Sequence, residues 1–159
     1  CLSSAASDVY KRQEIGEVVT ENIKTISKIP HKITFNAPKI IEVRGEIFFN
    51  LDDFDSINQS LQKSGGKAFI NPRNAAAGTL RNLDIDIVRQ RPLNIFLYAL
   101  GGCSDDFNIT SHQDFIAFLE KNNLPNNELV TFGDATSASN AVKKILDSRD
   151  KLNLSLIHI

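Results

Sequence analysis

The sequence predicts an α+β fold, with antiparallel strands backed by flanking helices. Three observations carry that prediction: alternating apolar and polar runs at 39–49 and 93–100, helical apolar spacing after residues 50 and 111, and glycine and capping signals between them. The 159 residues suffice for one ordinary domain, and 42% hydrophobic with 23% charged residues is the balance of a globular protein that buries a core. A net charge of −1 argues against a wholly basic nucleic-acid binder. No apolar run approaches a membrane span and no charged segment precedes a hydrophobic leader, so the expected location is cytoplasmic, with no membrane partner. The two cysteines, Cys1 and Cys103, match neither a disulfide framework nor a metal-ligand spacing, and no metal site is expected here.

The two ends are set aside as non-native. Asp8-Val9-Tyr10-Lys11-Arg12-Gln13 can be encoded by a string whose reverse complement reads Leu-Ser-Leu-Ile-His-Ile, which is residues 154–159. Inverted copies of one nucleotide string resemble translated sequencing adaptors. The expected organisation is therefore 1–13 and 154–159 adaptor-derived, with a native domain at 14–153. The absence of Met fits an internal fragment.

Gly16 to Asn22, followed by Thr25-Ile26 and Ile29-Pro30, reads as a short helical or turn segment closed by the proline. From Lys39 to Phe49, alternation puts Ile41, Val43, Ile47 and Phe49 on one strand face with Gly45 in line. Glu42, Arg44, Glu46 and Phe48 lie on the other. Such a polar face is equally that of a solvated strand, where Glu–Arg pairs contribute little. Asn50 can cap the next helix, with Asp52 and Asp53 in its first turn and Gly65-Gly66 at its end; Leu51, Phe54, Ile57 and Leu61 form its apolar side.

The most informative stretch is 67–84. Asn71 can cap a helix that begins at Pro72 and runs through Ala75, Ala76 and Ala77, the best helix formers. Small side chains would let a backbone, sugar or phosphate approach closely, which suits anion contact better than core filling. Arg73 and Arg81 project beyond them, about 80° apart around the axis and about 12 Å along it. From composition alone, a surface helix with two solvated arginines accounts for the segment as well. Between Lys63 and Arg91, six basic residues (Lys63, Lys67, Arg73, Arg81, Arg89 and Arg91) face only Asp84 and Asp86, a local basic face in a near-neutral chain.

Leu93 to Leu100 is a second strand, with Leu93, Ile95, Leu97 and Ala99 on one face and Asn94, Phe96 and Tyr98 on the other. Two helices flanking a short strand at 128–132 should follow. The first has a Ser111/Asp114 capping box before Phe115, Ile116 and Leu119, and the second an apolar side of Ala138, Ala141, Val142, Ile145 and Leu146. His112 has no partner ligands in sequence and reads as a surface histidine.

The motif Asn-Pro-Arg-Asn-Ala-Ala-Ala-Gly-Thr-Leu-Arg, with 24 residues between it and Arg44-Gly45-Glu46, resembles the adenylation (nucleotidyltransferase) domain of bacterial NAD-dependent DNA ligases. Gly16-Glu17-Val18-Val19-Thr20-Glu21-Asn22 is similar to a further stretch of that family, with Val18 in place of its usual acid. The resemblance covers 16–153 and implies a partial adenylation domain. Glu46 would lie near the adenylate ribose and Tyr98 would stack on adenine, although the family's Tyr-Gly is Tyr98-Ala99 here. Arg73 and Arg81 would touch DNA or AMP phosphates. The implied reaction uses NAD and Mg²⁺ and seals nicks in duplex DNA through lysyl-AMP and DNA-adenylate intermediates, as in DNA replication and repair. Its nucleophile belongs to a Lys-x-Asp-Gly motif that occurs nowhere in these residues, and Lys67 lacks that context. No catalytic residue is therefore assigned, and the fragment alone is expected to be inactive. The parent would be a monomer, with zinc only in another of its domains. The competing readings are a non-catalytic nucleic-acid-binding module and an ATP-dependent ligase or capping-type nucleotidyltransferase.

Overall fold

A computed structural model describes residues 5–6, 16–104, 107–127, 129–148 and 151. The proposed adaptor segments lie outside these residues, except for Ala5–Ala6. That pair (β1) forms a two-residue antiparallel ladder with Glu17–Val18 (β2). Thr20–Ile23 (α1) is the short helix expected before Pro30.

The centre of the fold is an antiparallel ribbon of Ile41–Phe48 (β3) and Asn94–Cys103 (β4). Its register pairs Arg44 with Ala99 but Gly45 with Leu97, which leaves Tyr98 as an extra residue on β4. This is a β-bulge, and it reverses the alternation beyond it. The expected face of Leu93, Ile95, Leu97 and Ala99 is therefore corrected: Leu100, not Ala99, joins Leu97 in the core.

One face of the ribbon is covered in two lobes that share Ile95. The first gathers Ile23, Ile26, Phe49, Ala75, Ala76 and Val88. The second centres on Phe107, Phe115, Phe118 and Leu119. Leu51–Lys63 (α2) lies over the first lobe through Phe54 and Ile57. Asn50 precedes it as expected, but with no side-chain capping bond.

Pro72–Leu80 (α3) starts where the sequence places it, with Asn71 Oδ1 accepting from the N–H groups of Arg73 (2.8 Å) and Asn74 (3.2 Å). The helix Ile85–Gln90 (α4) has no counterpart in the sequence reading. At six residues it is too short to show a period, and its signals are Asp84, which caps it through Asp86 N–H at 3.0 Å, and the buried Val88.

His112–Lys121 (α5) carries the expected capping box and buries Phe115, Ile116, Phe118 and Leu119. The Ser111 hydroxyl, and after it that of Thr110, holds the Asp114 carboxyl below its ordinary value. The strand expected at 128–132 is absent from its described residues, 129–132. Asn127 Oδ1 accepts from Leu129 N–H (3.0 Å) and its carbonyl from Val130 N–H (3.1 Å), a turn that competes with a ladder. The preceding residues meet the ribbon instead: Leu97 N–H donates to the Pro125 carbonyl at 2.8 Å, and Asn126 forms an isolated bridge to Leu97. Ala135–Ser148 (α6) has the expected apolar stripe, but Val142 and Leu146 are exposed and the helix has no buried residue among those described.

Candidate functional site

The site is assembled from the outer face of the ribbon and the first turn of α3. Glu46 projects from β3, and its Oε1 lies 3.1 Å from Arg73 Nε. Their side chains are 27% and 59% exposed, so the pair contributes at most about 1 kcal/mol. Its effect is to aim the two groups.

Across the ribbon, Glu46 is in register with Phe96. Phe96 packs between Phe48 (ring centroids 5.6 Å apart) and Tyr98 (6.4 Å). Tyr98, the bulged residue, is the outermost of this aromatic row at 46% exposed. A bulge turns a side chain out of the regular pleat. The result is a half-open phenol ring on the face that carries a carboxylate and a guanidinium.

Gly45 explains how close the two strands come. A Cβ there would lie 2.7 Å from the carbonyl oxygen of Phe96 and 2.8 Å from Leu97 Cδ2. The absence of a side chain between Arg44 and Glu46 is thus a packing requirement of the ribbon.

Helix α3 is divided lengthwise. With about 100° per residue, Pro72, Ala75, Ala76, Thr79 and Leu80 fall within one arc of about 140°, and all five are buried. Arg73, Asn74, Ala77, Gly78 and Arg81 fall within another, and of these Arg73, Asn74, Gly78 and Arg81 are exposed. The expectation that these small residues suit anion contact better than core filling is corrected for two of them. Ala75 and Ala76 fill the core because only a small side chain lets the helix lie against the sheet, whereas Ala77 and Gly78 stand between the arginines.

Arg81 does not join Glu46. It stands at the far end of α3, with Nε 3.9 Å from Glu17 Oε2 and 3.4 Å from the Ala77 carbonyl. Asn22 fixes that end of the helix by donating to the carbonyls of Leu80 and Asn82. Neither Glu17 nor Asn22 stood out in the sequence beyond membership of the Gly16–Asn22 stretch. The basic segment is also thinner than its composition suggests. Arg91 donates to the buried Thr79 hydroxyl at 3.0 Å and lies over the Phe69 ring, while Arg89 pairs with Asp86. His112 packs against Phe115 and Phe132.

Comparison with known proteins decides the family. The sequence model described as "NAD-dependent DNA ligase adenylation domain" matches residues 12–157. This chain belongs to that family. Among curated relatives, the DNA ligase of Rickettsia bellii is 48% identical over 106 residues, covering 67% of this chain and 15% of its own length. The DNA ligase of Ruegeria sp. is 52% identical over 91 residues (57% and 12%), and that of Rickettsia canadensis 42% identical over 121 residues (76% and 17%). The chain thus spans about one-seventh of the length of such ligases.

For an adenylation-domain member, the geometry sorts the residues singled out by sequence into two groups. Glu46 and Arg73 are in contact, with Tyr98 on the same face of the ribbon, and Arg81 stands apart on the exposed arc of α3. An exposed phenol ring, a carboxylate and a guanidinium on one face of the ribbon offer a flat apolar surface, a hydrogen-bond acceptor and a forked cationic donor. A metal does not fit in the same way. Among the described residues no three His, Cys, Asp or Glu side chains converge. No helix of the described residues is long and apolar enough to cross a membrane.

Proposed function

We propose that this chain is the nucleotide- and phosphate-gripping middle of the adenylation domain of an NAD-dependent DNA ligase that seals nicks in duplex DNA. The observation that carries this reading is the Glu46–Arg73 contact beside the bulged Tyr98, in a chain whose family match spans nearly its whole length. NAD supplies the adenylyl group: a lysine takes AMP from it as nicotinamide mononucleotide leaves, the AMP passes to the 5′-phosphate at the nick as the lysine is released, and the 3′-hydroxyl then attacks that phosphate and expels AMP.

The residues present act by binding and orientation. Glu46 accepts hydrogen bonds from the ribose hydroxyls of the adenylate, and Tyr98 stacks on the adenine. Arg73, held by Glu46 at the edge of this pocket, faces phosphate oxygens on which negative charge grows as the phosphoryl bond is exchanged. Positioned guanidiniums stabilise such charge and bind it bidentately. Arg81, farther along the exposed arc, grips the DNA backbone. Mg²⁺ would be held chiefly by the phosphates and by other parts of the parent, since among the described residues no three His, Cys, Asp or Glu side chains converge, and it would supply charge stabilisation there.

Lys-x-Asp-Gly is absent from the sequence, so the nucleophilic lysine comes from another part of the parent ligase and this chain alone does not transfer adenylate. The setting is the bacterial cytoplasm. Residues 14–153 are the native part of the domain, between adaptor-derived ends.

The test uses the full-length parent. Arg81→Ala should abolish most nick sealing, whereas Lys143→Ala, on α6, should leave it unchanged. Replacing Glu46 by Ala should slow self-adenylation with NAD more than it weakens DNA binding. Equal sealing by the two cation variants would reject the phosphate assignment, and an unchanged adenylation rate would remove Glu46 from the pocket. A parent gene without Lys-x-Asp-Gly would favour a non-catalytic nucleic-acid-binding module.

A further inference from the structure

The two most exposed large apolar side chains among the described residues are Ile70 and Leu83, at 92% and 101% of full exposure, and they stand at opposite ends of α3. Neither sits on slack chain. Ile70 follows Phe69, whose N–H and C=O are both bonded by the Asn58 amide (2.8 and 2.9 Å), and precedes Asn71, the cap of α3. Leu83 follows Asn82, whose carbonyl accepts from Asn22 at 2.8 Å and whose N–H donates to the Thr79 carbonyl at 3.1 Å. It precedes Asp84, the cap of α4, whose N–H donates to Asn82 Oδ1 at 2.9 Å.

Each aliphatic is thus bracketed by a backbone clamped from a distant asparagine and by a helix cap. A leucine held in water by a fixed backbone leaves its burial free energy available to any surface that covers it, and the charges beside it decide which surface that is. Because the backbone is already ordered, little conformational entropy is lost when that contact forms.

Charge identifies the surface. Arg73 is three residues after Ile70 and Arg81 two before Leu83, α3 contains no acidic residue, and Asn74, Ala77 and Gly78 occupy the exposed arc between the arginines. A guanidinium paired with an aliphatic at each end of a helix of about 14 Å matches duplex DNA, where apolar sugar faces and base edges lie between regularly spaced phosphates. We propose that Ile70 and Leu83 are apolar contact points for the sugar and base edges of duplex DNA flanking the nick. The proposal rests on the DNA-binding reading above and adds to it the residues that supply salt-independent affinity.

The experiment measures binding of nicked duplex by the full-length parent across a range of salt concentrations. Leu83→Ala should weaken binding about tenfold at every salt concentration and leave the slope of log K against log salt unchanged, because no phosphate contact is lost. Ile70→Ala should act in the same direction. Arg81→Ala should instead make the slope shallower by about one. Self-adenylation should be unaffected in both aliphatic variants. Wild-type DNA binding by both would overturn the proposal. So would a fall in the parent's thermal stability without a change in DNA affinity, which would mean that the two side chains pack against another part of the ligase. A Leu83→Ala defect together with an unchanged slope in Arg81→Ala would sustain the apolar contact and reject the arginine assignment.

Discussion

Gly45→Ala is the substitution whose consequence follows most directly from the structure. The added Cβ would meet the Phe96 carbonyl oxygen at 2.7 Å and Leu97 Cδ2 at 2.8 Å, where ordinary contact begins at 3.4 Å. The leucine methyl can rotate away. The carbonyl cannot, because it belongs to the backbone of β4 at the position paired with Glu46. Relief therefore requires the two strands to separate by several tenths of an ångström beside the Tyr98 bulge, and overpacking of this kind costs about 1–3 kcal/mol. With a urea dependence of about 2 kcal/mol per molar for a domain of this size, the unfolding midpoint should fall by about 0.5–1.5 M. The assay is urea unfolding of the purified chain followed by far-ultraviolet circular dichroism. The same displacement shifts Glu46 relative to Arg73, so self-adenylation of the parent should fall as well. A midpoint within about 0.2 M of wild type would mean that the strands are not in the contact described, and the account of the Arg44-Gly45-Glu46 motif would fail.

Gly78→Ala makes an informative contrast, since nothing lies within 4 Å of a Cβ at that position. It should stabilise the chain by about 0.5–1 kcal/mol through helix propensity, read from the same urea curves, while weakening nicked-DNA binding by the parent; increased stability with unchanged affinity would exclude close approach of a ligand to this arc. Acid titration tests the α5 capping box. The Asp114 carboxyl is held below 3.8 by the Ser111 hydroxyl first and Thr110 second, so its stabilisation is fully present above that value and is lost as pH falls through the lowered one. Ser111→Ala should lower the thermal midpoint near neutrality, and the gap between the two melting curves should narrow in acid without closing, because the bond from Asp114 N–H to the Ser111 hydroxyl does not titrate; a constant gap down to the acid limit would refute the linkage.

The sequence made legible what depends on neighbours in the chain. Asn71-Pro72 starts α3 and Ser111/Asp114 starts α5, because caps act over two or three residues. Both central strands were visible as alternation. The bulge at Tyr98 was not, because it is a property of the pairing with β3 and leaves β4's own pattern locally intact. The same lack of pairing information puts Ala99 on the core face, where the structure has Leu100. Helix α4 fell below the length at which a period can be read. The strand expected at 128–132 fails in its described residues because the Asn127 side chain closes a turn onto Leu129 N–H, a bond invisible in the alternation. At the site, the sequence left Glu46 and Arg73 in separate motifs, and nothing local announced either their contact or that Arg81 would face Glu17.

Helix α3 shows why one segment can hold both the fold and the site. Its buried arc needs Ala75 and Ala76 because the helix crosses the ribbon too closely for larger side chains, and both are fully buried. That close crossing is also what brings Arg73, in the first turn, within 3.1 Å of a carboxylate on β3. A bulkier residue in the core arc would push the helix outward and lengthen the Arg73–Glu46 contact without altering either charged group. The exposed arc is under no such packing demand, since Gly78 has open space around it, yet it too is small between its arginines. Packing therefore accounts for two of the four consecutive small residues at 75–78, and the open space at Gly78 is what the proposed close approach of DNA to this arc would use.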